Sequence, residues 1–477
     1  MNLLLDAPDQ EFWLDETNRG TTIVPAFANA YIWATTNHRV AFSEPYILTH
    51  GNPYGRDSFP PQEIFRRMML ALTYGASPSI AVAQPKNLQQ ELYKCMDEVH
   101  RRKPWLTHKT PEPWAALVMS DNTRNFYGRS ASQVEDRYLA SVFGTFRAAV
   151  EEHLPVTVIN DWSLNPVDLP RYKVLILPNT ACLDDAQVAA VDDFVTKGGG
   201  LVASLDTSLF DEYGDPRANF ALAEVLGIDY RGLPATASGK DEIDVNFAKS
   251  IGPDYWEKRK SIFDFKQDPA ALLNQGKMKT YVGDQSVTFK GPAVRVGVKD
   301  QSAKVLGTLR ARSVAGAPEL PGVIARTHGK GRVVYFAAGF DSAYYLYAYP
   351  YQRLALRHAI TWAASAPQPI LVEAPMCVHA TLMRQKRSDG ERLIVHLFSD
   401  LNTSASHALP KDDVPLREEV VPIHDIKITF RPEYRISRMR LEPEGTDLQL
   451  RMSAEGVSVI VPRLDVHSMV VAELQRD

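Results

Sequence analysis

The sequence predicts an α/β protein built in three successive segments. Residues 1–108 carry β/α units, 114–366 a doubly wound α/β domain, and 368–477 a small all-β sandwich. Three observations carry this. Up to about residue 366, short apolar runs alternate with helical patterns, which implies parallel strands joined by helical crossovers. From 368 onward, strand-like runs recur with turn residues between them. Between the first two segments, 103–113 is polar and Pro-rich and reads as a linker.

In the first segment, 22–28 reads as a buried strand and 40–43 as a second. Over 61–74, Ile64, Phe65, Met68, Met69 and Leu72 recur at helical spacing, with Pro61 at the start and Gly75 at the end. A third strand is expected at 79–83 and a helix at 88–101; Leu3 to Leu5 would end one more strand. In the second segment, 116–119, 156–159, 173–177, 201–205 and 332–337 read as strands, with helices over 132–153, after Asp184, and over 353–363. Asp184 and Gln187 have the spacing of a capping box, and Gly198, Gly199 and Gly200 end that helix. Residues 231–320 break the alternation and read as an insertion. The third segment has strand-like runs at 370–372, 378–383, 393–398, 426–430, 436–441, 457–461 and 469–474.

Composition narrows the function classes. The chain has 477 residues, is 45% hydrophobic and carries a formal net charge of −4. Arg101, Arg102 and Lys103 are its densest basic run, so no nucleic-acid partner is expected. No run of apolar residues is long enough to span a bilayer, so no membrane partner is expected either. The N-terminal residues lack the basic and apolar regions of a signal peptide. Cys95, Cys182 and Cys377 are far apart and odd in number, which predicts neither disulfides nor a Cys-x-x-Cys metal site. A cytoplasmic location is expected.

Three passages resemble family 42 glycoside hydrolases, the β-galactosidases with a middle trimerisation domain, and a bacterial group of hypothetical glycosyl hydrolases. The first is Phe42-Ser43-Glu44-Pro45, with Arg66 to Leu72 and Tyr74-Gly75-Ala76 after it. It is similar to the family's seventh barrel strand, next helix and eighth strand. The second is Leu177-Pro178-Asn179 followed by 184–200, and the third is 328–336; both resemble the middle domain. The resemblance implies the C-terminal part of a (β/α)8 barrel and a flavodoxin-like, class I glutamine amidotransferase-like domain, followed by the sandwich. A full barrel needs eight strands and about 250 residues. The chain is therefore expected to begin within a barrel, either as a fragment or after loss of the first half, and an export signal lost with that half stays open.

Retaining glycosidases use two carboxylates about 5 Å apart, a nucleophile and an acid/base. By the resemblance, Glu44 matches the nucleophile at the end of strand seven. The strand that would supply the acid/base has no counterpart. Asp6 is a second strand-end carboxylate, better explained by a surface position. Trp33, Tyr46 and Gln84 are the candidate sugar-binding residues, and Tyr54 is a further aromatic. The implied function is hydrolysis of β-galactoside-type bonds by a retaining mechanism, weak or absent in this chain alone. The alternative is a non-catalytic oligomerisation or carbohydrate-binding protein. No cofactor or metal is expected, since His50, His108 and His328 show no ligand spacing. Cys182 lacks the flanking glycines of an amidotransferase nucleophile and reads as a core residue. Gly329-Lys330-Gly331 reads as a hairpin turn and His396 as a packed strand histidine. Unpaired barrel edges predict a homo-oligomer, a trimer if the middle domain assembles as in the resembled family.

Overall fold

The structure is a computed structural model and describes residues 8–12, 22–45, 59–80, 89–130, 132–234, 255–299, 301–403 and 417–475. The chain divides into two compact units. The first gathers residues 1–112, 153–157 and 368–477, and the second gathers 113–152 and 158–367.

The first unit begins with β1 (Asp9–Phe12), α1 (Ile23–Ala34), β2 (Phe42–Pro45), α2 (Pro61–Thr73), β3 (Ser77–Pro78), α3 (Gln89–Arg102) and β4 (Lys109–Pro111). β1, β2 and β3 form a parallel sheet with β2 in the middle. Pro61 starts α2, where its missing N–H costs nothing. Gly75 lies just after that helix at φ +95°, and a Cβ there would sit 2.0 Å from Cε3 of Trp33. The expected strand at 22–28 is instead the start of α1, which buries Ile23, Phe27, Ile32 and Trp33. A short apolar run lacks the length that separates a strand from a buried helix. The expected strand at 40–43 begins at Phe42, and the one expected at 79–83 lies earlier, at Ser77–Pro78.

The second unit contains β5 (Ala115–Met119), α4 (Ala140–Glu151), β6 (Val156–Asn160), β7 (Val174–Leu177), α5 (Asp185–Thr196), β8 (Gly200–Ser204), α6 (Ala223–Leu226) and β9 (Ile228–Tyr230). There follow β10 (Lys260–Gln267), α7 (Lys277–Tyr281), β11 (Val287–Pro292), β12 (Val296–Val298), β13 (Lys304–Ala311), β14 (Leu320–His328), β15 (Gly331–Phe336), α8 (Phe340–Tyr347) and α9 (Pro350–Ala364). A nine-stranded sheet runs in the order β11-β10-β13-β14-β15-β8-β7-β5-β6. β5, β7, β8 and β15 pair in parallel and are almost wholly apolar, as strands covered on both faces must be. β14, β13, β10 and β11 extend the sheet antiparallel, so it is mixed rather than wholly parallel. The reason is local. The Gly329-Lys330 turn joins His328 directly to its partner Gly331, and so short a return admits only an antiparallel neighbour.

The capping box of α5 is present in full: Asp184 accepts from the Gln187 N–H at 2.7 Å, and the Gln187 side chain accepts from the Asp184 N–H at 3.0 Å. α4 and α8 cross with their backbones touching at Gly144, where a Cβ would lie 1.8 Å from the Asp341 carbonyl oxygen. Gly144→Val is therefore expected to destabilise the protein by about 3 kcal/mol through forced separation of the two helices. Thermal unfolding checks this, and an unchanged midpoint would refute the close approach.

The chain then returns to the first unit with β16 (Ile370–Glu373), β17 (Val378–Arg387), β18 (Gly390–Ser399), β19 (Ile423–Phe430), β20 (Ile436–Glu442), β21 (Thr446–Asp447), β22 (Arg451–Ser453), β23 (Gly456–Leu464) and β24 (His467–Leu474). They form two sheets, β16-β19-β23-β22 and β21-β20-β24-β18-β17-β4. Ile370 and Ile428 from one sheet share a core with Leu393, Val395 and Val470 from the other. The expected linker at 103–113 is corrected here. Its residues Lys109–Pro111 form β4, the edge strand antiparallel to β17. Three residues are too few for a periodicity to show.

Candidate functional site

The catalytic end of a parallel β/α sheet is the edge where its strands finish. Glu44 is the penultimate residue of β2, half-buried, on the central strand of the small parallel sheet. Pro45 follows it and closes the strand. The β1–β2 register places Glu11 opposite Glu44. Tyr46, Tyr54, Gln84, Asp6 and His50 lie outside the described residues. Trp33 is only 4% exposed. Its ring packs edge-on against His38, with centroids 5.0 Å apart, and Lys109 Nζ stands 5.3 Å from the ring centroid. Sequence proximity thus puts Trp33 and Glu44 in neighbouring elements, with the indole in the core.

The strand ends of the large sheet form a second candidate edge, and the chain's own side chains fill it. After β5, Ser120 Oγ and the Asn122 N–H both donate to Asp161 Oδ2 at 3.1 Å, and burial raises the pKa of that carboxyl. After β7, the Cys182 N–H donates to Thr123 Oγ1 at 3.1 Å, which laces the two loops together. After β8, Asp206 is completely buried and accepts from Arg259 Nη1 at 2.5 Å, Tyr127 OH at 2.8 Å and Tyr255 OH at 3.2 Å. Burial pulls the Arg259 guanidinium down, but the Asp206 carboxylate outweighs it and holds its pKa well above the usual value. Burial, reinforced by Asp206, raises both tyrosine hydroxyls well above 10. Cys182 is fully buried, and burial pushes its thiol up to about 12. A thiol in that state is not a nucleophile at neutral pH.

Asp206 and Arg259 were not among the sequence candidates. Asp206 had a signal, since it directly follows the apolar run 201–205. Arg259 had none, because it lies 53 residues from its partner.

The other histidines and the glycine turn have structural partners. His328 Nε2 is 2.7 Å from Asp192 Oδ1, and His396 Nδ1 is 3.1 Å from His467 Nε2. The Lys330 N–H donates to the Thr196 carbonyl at 3.0 Å. Among the described residues, no group of three or more His, Cys, Asp or Glu side chains is placed to hold a metal ion. Among them too, no helix is long and apolar enough to cross a membrane. The first unit also has a cleft of about 650 Å³ lined by Phe65, Lys94, Glu98, Arg102 and His467 among others.

The comparisons with known proteins agree with this architecture. No curated protein matches the chain in sequence. Its structure is similar to that of α-L-fucosidase isoenzyme 2 from Paenibacillus thiaminolyticus, with a TM-score of 0.70 and 17% identity over 94% of this chain and 62% of that one. It is similar to the β-galactosidase from Bacillus circulans sp. alkalophilus, with a TM-score of 0.66 and 14% identity over 98% of this chain and 60% of that one. Gan42B, a GH42 β-galactosidase from G. stearothermophilus, gives 0.62 and 14% over 98% of this chain and 59% of that one. The chain thus spans about three fifths of the length of these enzymes. At such identities the likeness is one of fold: a mixed α/β protein with a large mixed sheet, folded as glycoside hydrolases are. A family model, ThuA (trehalose utilisation), matches residues 116–363, which is just over half of the sequence. The chain belongs to the ThuA, or trehalose utilisation, family.

Proposed function

We propose that the chain is a glycoside hydrolase-like protein, acting on β-galactoside-type bonds by a retaining mechanism, with Glu44 as nucleophile. The observation that carries this is the place of Glu44. It is a half-buried carboxylate at the finishing end of the middle strand of a parallel sheet. The fold shared with glycosidases, and a family named for use of a disaccharide, support a carbohydrate substrate.

In the proposed reaction the Glu44 carboxylate attacks the anomeric carbon and the glycosidic C–O bond breaks. A second carboxyl group about 5–5.5 Å away, to which no residue of this chain is assigned, would have to protonate the leaving oxygen and then deprotonate the water that releases the sugar, so turnover by this chain alone is expected to be weak or absent. Tyr46 and Gln84, in the segments that follow β2 and β3, would contact the sugar. The large sheet supplies no group to this chemistry in the proposal. Its strand ends are occupied by the Asp206–Arg259 pair, and its cysteine is buried.

A panel of nitrophenyl glycosides, β-galactoside included, tests the proposal. Whatever turnover the chain shows is expected to fall at least about 10³-fold in Glu44→Gln, since a nucleophile and its activation are lost together. Full turnover in the variant would sink it. The second reading, a non-catalytic carbohydrate-binding protein, is favoured by the 650 Å³ cleft, which has the size of a ligand pocket. Sugar binding without turnover by either protein would select it.

A further inference from the structure

We propose that the cleft of the first unit takes a neutral saccharide, with its hydroxyls on the carboxylates of α3 and its C–H face on the apolar part of the lining. The proposal rests on the second reading above, that the cleft is a sugar site, and names the class of sugar its walls admit. The cleft is about 650 Å³ and lies between the first turn of α2, α3, the end of β20 and the turn from β23 into β24. From α3, Glu91, Lys94, Cys95, Glu98 and Arg102 line it. They recur at helical spacing, so one face of α3 forms a continuous wall. The volume falls within the range of about 300–1,000 Å³ that small-ligand sites occupy.

The pairing of charges selects against an ionic ligand. Lys94 pairs with Glu91 at 2.7 Å, Arg102 with Glu98 at 2.7 Å, and Arg463 with Asp465 at 2.8 Å. The other Arg102 nitrogens donate to His467, Nε to Nδ1 at 3.0 Å and Nη2 to the carbonyl at 3.1 Å. Among the described residues, every cation that lines the cleft thus has its own carboxylate, and none is left to draw in a sugar acid. The fourth lining carboxylate is Glu444. Beside it Arg101 donates to Glu98 at 2.6 Å, and Glu98, then Glu444, hold its pKa up. Four carboxylates therefore meet four cations, and an amino sugar has no advantage over a neutral one. What the wall still offers is hydrogen-bond acceptance. A carboxylate has about four lone-pair sites, and its ion-pair partners occupy only part of them. The Ser468 hydroxyl also lines the cleft; its residue is 7% exposed, and it makes no hydrogen bond among the described residues. The rest of the lining is apolar: Leu441 and Val466 are buried, and Phe65 and Val420 half-buried. Burial pushes the Cys95 thiol up to about 11, so it packs as a neutral side chain and does not capture a ligand covalently. A pyranose has both matching surfaces, O–H donors around its edge and C–H groups on its faces.

Calorimetric titration of the whole chain tests this with lactose and trehalose, and with the matched set galactose, galacturonate and galactosamine. We expect a neutral sugar to bind, and galacturonate to bind at least about tenfold more weakly than galactose, because the ion-paired wall leaves its carboxylate without a partner. Gln62→Trp places a large ring at the cleft from an exposed position of α2 and is expected to abolish binding. Ser468→Ala is expected to weaken it about fivefold, the loss of one hydrogen bond. Neutral-sugar binding that disappears in Gln62→Trp supports the site. Undiminished binding in folded Gln62→Trp overturns it, and if that variant does not fold, undiminished binding in Ser468→Ala does so. Tighter binding of galacturonate or galactosamine than of galactose overturns the class of sugar and leaves the second reading standing. No binding of any of the five overturns both. Glu44 is not among the residues that line the cleft, so none of these results bears on the proposed nucleophile.

Discussion

Replacing Arg259 by methionine is expected to cost about 3–5 kcal/mol of stability, the penalty for leaving one member of a buried ion pair alone. Asp206 and Arg259 are both completely buried, 2.5 Å apart. Around them Tyr127, Tyr230, Tyr255 and Tyr335 close the space to water. Without Arg259, the Asp206 carboxylate keeps the hydroxyls of Tyr127 and Tyr255 and no cation among the described residues. It must then either stay charged in an apolar setting or take up a proton. Removing both charges together, as Asp206→Asn with Arg259→Met, should recover much of the loss, because the desolvation cost goes with them. Denaturant unfolding of the two variants measures this. A double variant no more stable than Arg259→Met would show that the pair is not what holds this edge together.

The second large effect has the opposite sign. Lys109→Met is expected to stabilise the protein. Lys109 is buried on β4, and burial alone brings its ammonium down from the ordinary 10.5 to about 7. Among the described residues, its neighbours do not oppose that. From α3, Arg102 donates through Nε to His467 Nδ1 at 3.0 Å, while Glu98 is spent on Arg102 Nη1 at 2.7 Å. Arginine can only donate, so His467 Nε2 keeps its proton and donates to His396 Nδ1 at 3.1 Å. Both imidazoles are thus neutral, and burial, with Arg102 and Lys109 nearby, holds both well below 6.5. From α1 the Trp33 ring faces the ammonium, and such a contact returns about 1 kcal/mol.

Between pH 7 and 10.5 the unfolded chain keeps a proton on Lys109 that the folded chain has released. Stability therefore rises with pH across that window, and below it the whole cost is present. At about 1.4 kcal/mol per pH unit, methionine should add up to about 5 kcal/mol near pH 6 and almost nothing above pH 10.5. Urea unfolding at the two pH values checks it. A gain of equal size at both would mean that packing, not the buried charge, is responsible.

What the sequence revealed, and what it hid, follows from the range of each interaction. The capping box of α5 and the apolar strands β7, β8 and β15 are written within a few consecutive residues, and they lie where their patterns place them. Each recurring run from 370 to 474 falls on a strand for the same reason. The first residues of α1 are apolar on every side, so their pattern reads equally as a buried strand. The three residues of β4 are too few to carry a period. The antiparallel extension by β10, β11 and β13 depends on pairings across an irregular stretch. Glu44 could be picked out as a strand-end carboxylate next to a proline. Its surroundings could not, nor could Glu63 with Arg417, which meet across 354 residues of chain.

As the proposed nucleophile, Glu44 would bond covalently to a sugar. The most direct measurement is mass spectrometry of the chain after incubation with a dinitrophenyl 2-deoxy-2-fluoro-β-galactoside. The fluorine slows release of the glycosyl-enzyme, and the dinitrophenolate leaves without protonation, so the nucleophile is tested apart from the acid/base. One added fluorogalactosyl group is expected on the peptide that carries Glu44, and none in Glu44→Gln. An adduct on a different carboxylate, or the same adduct in the variant, would contradict it.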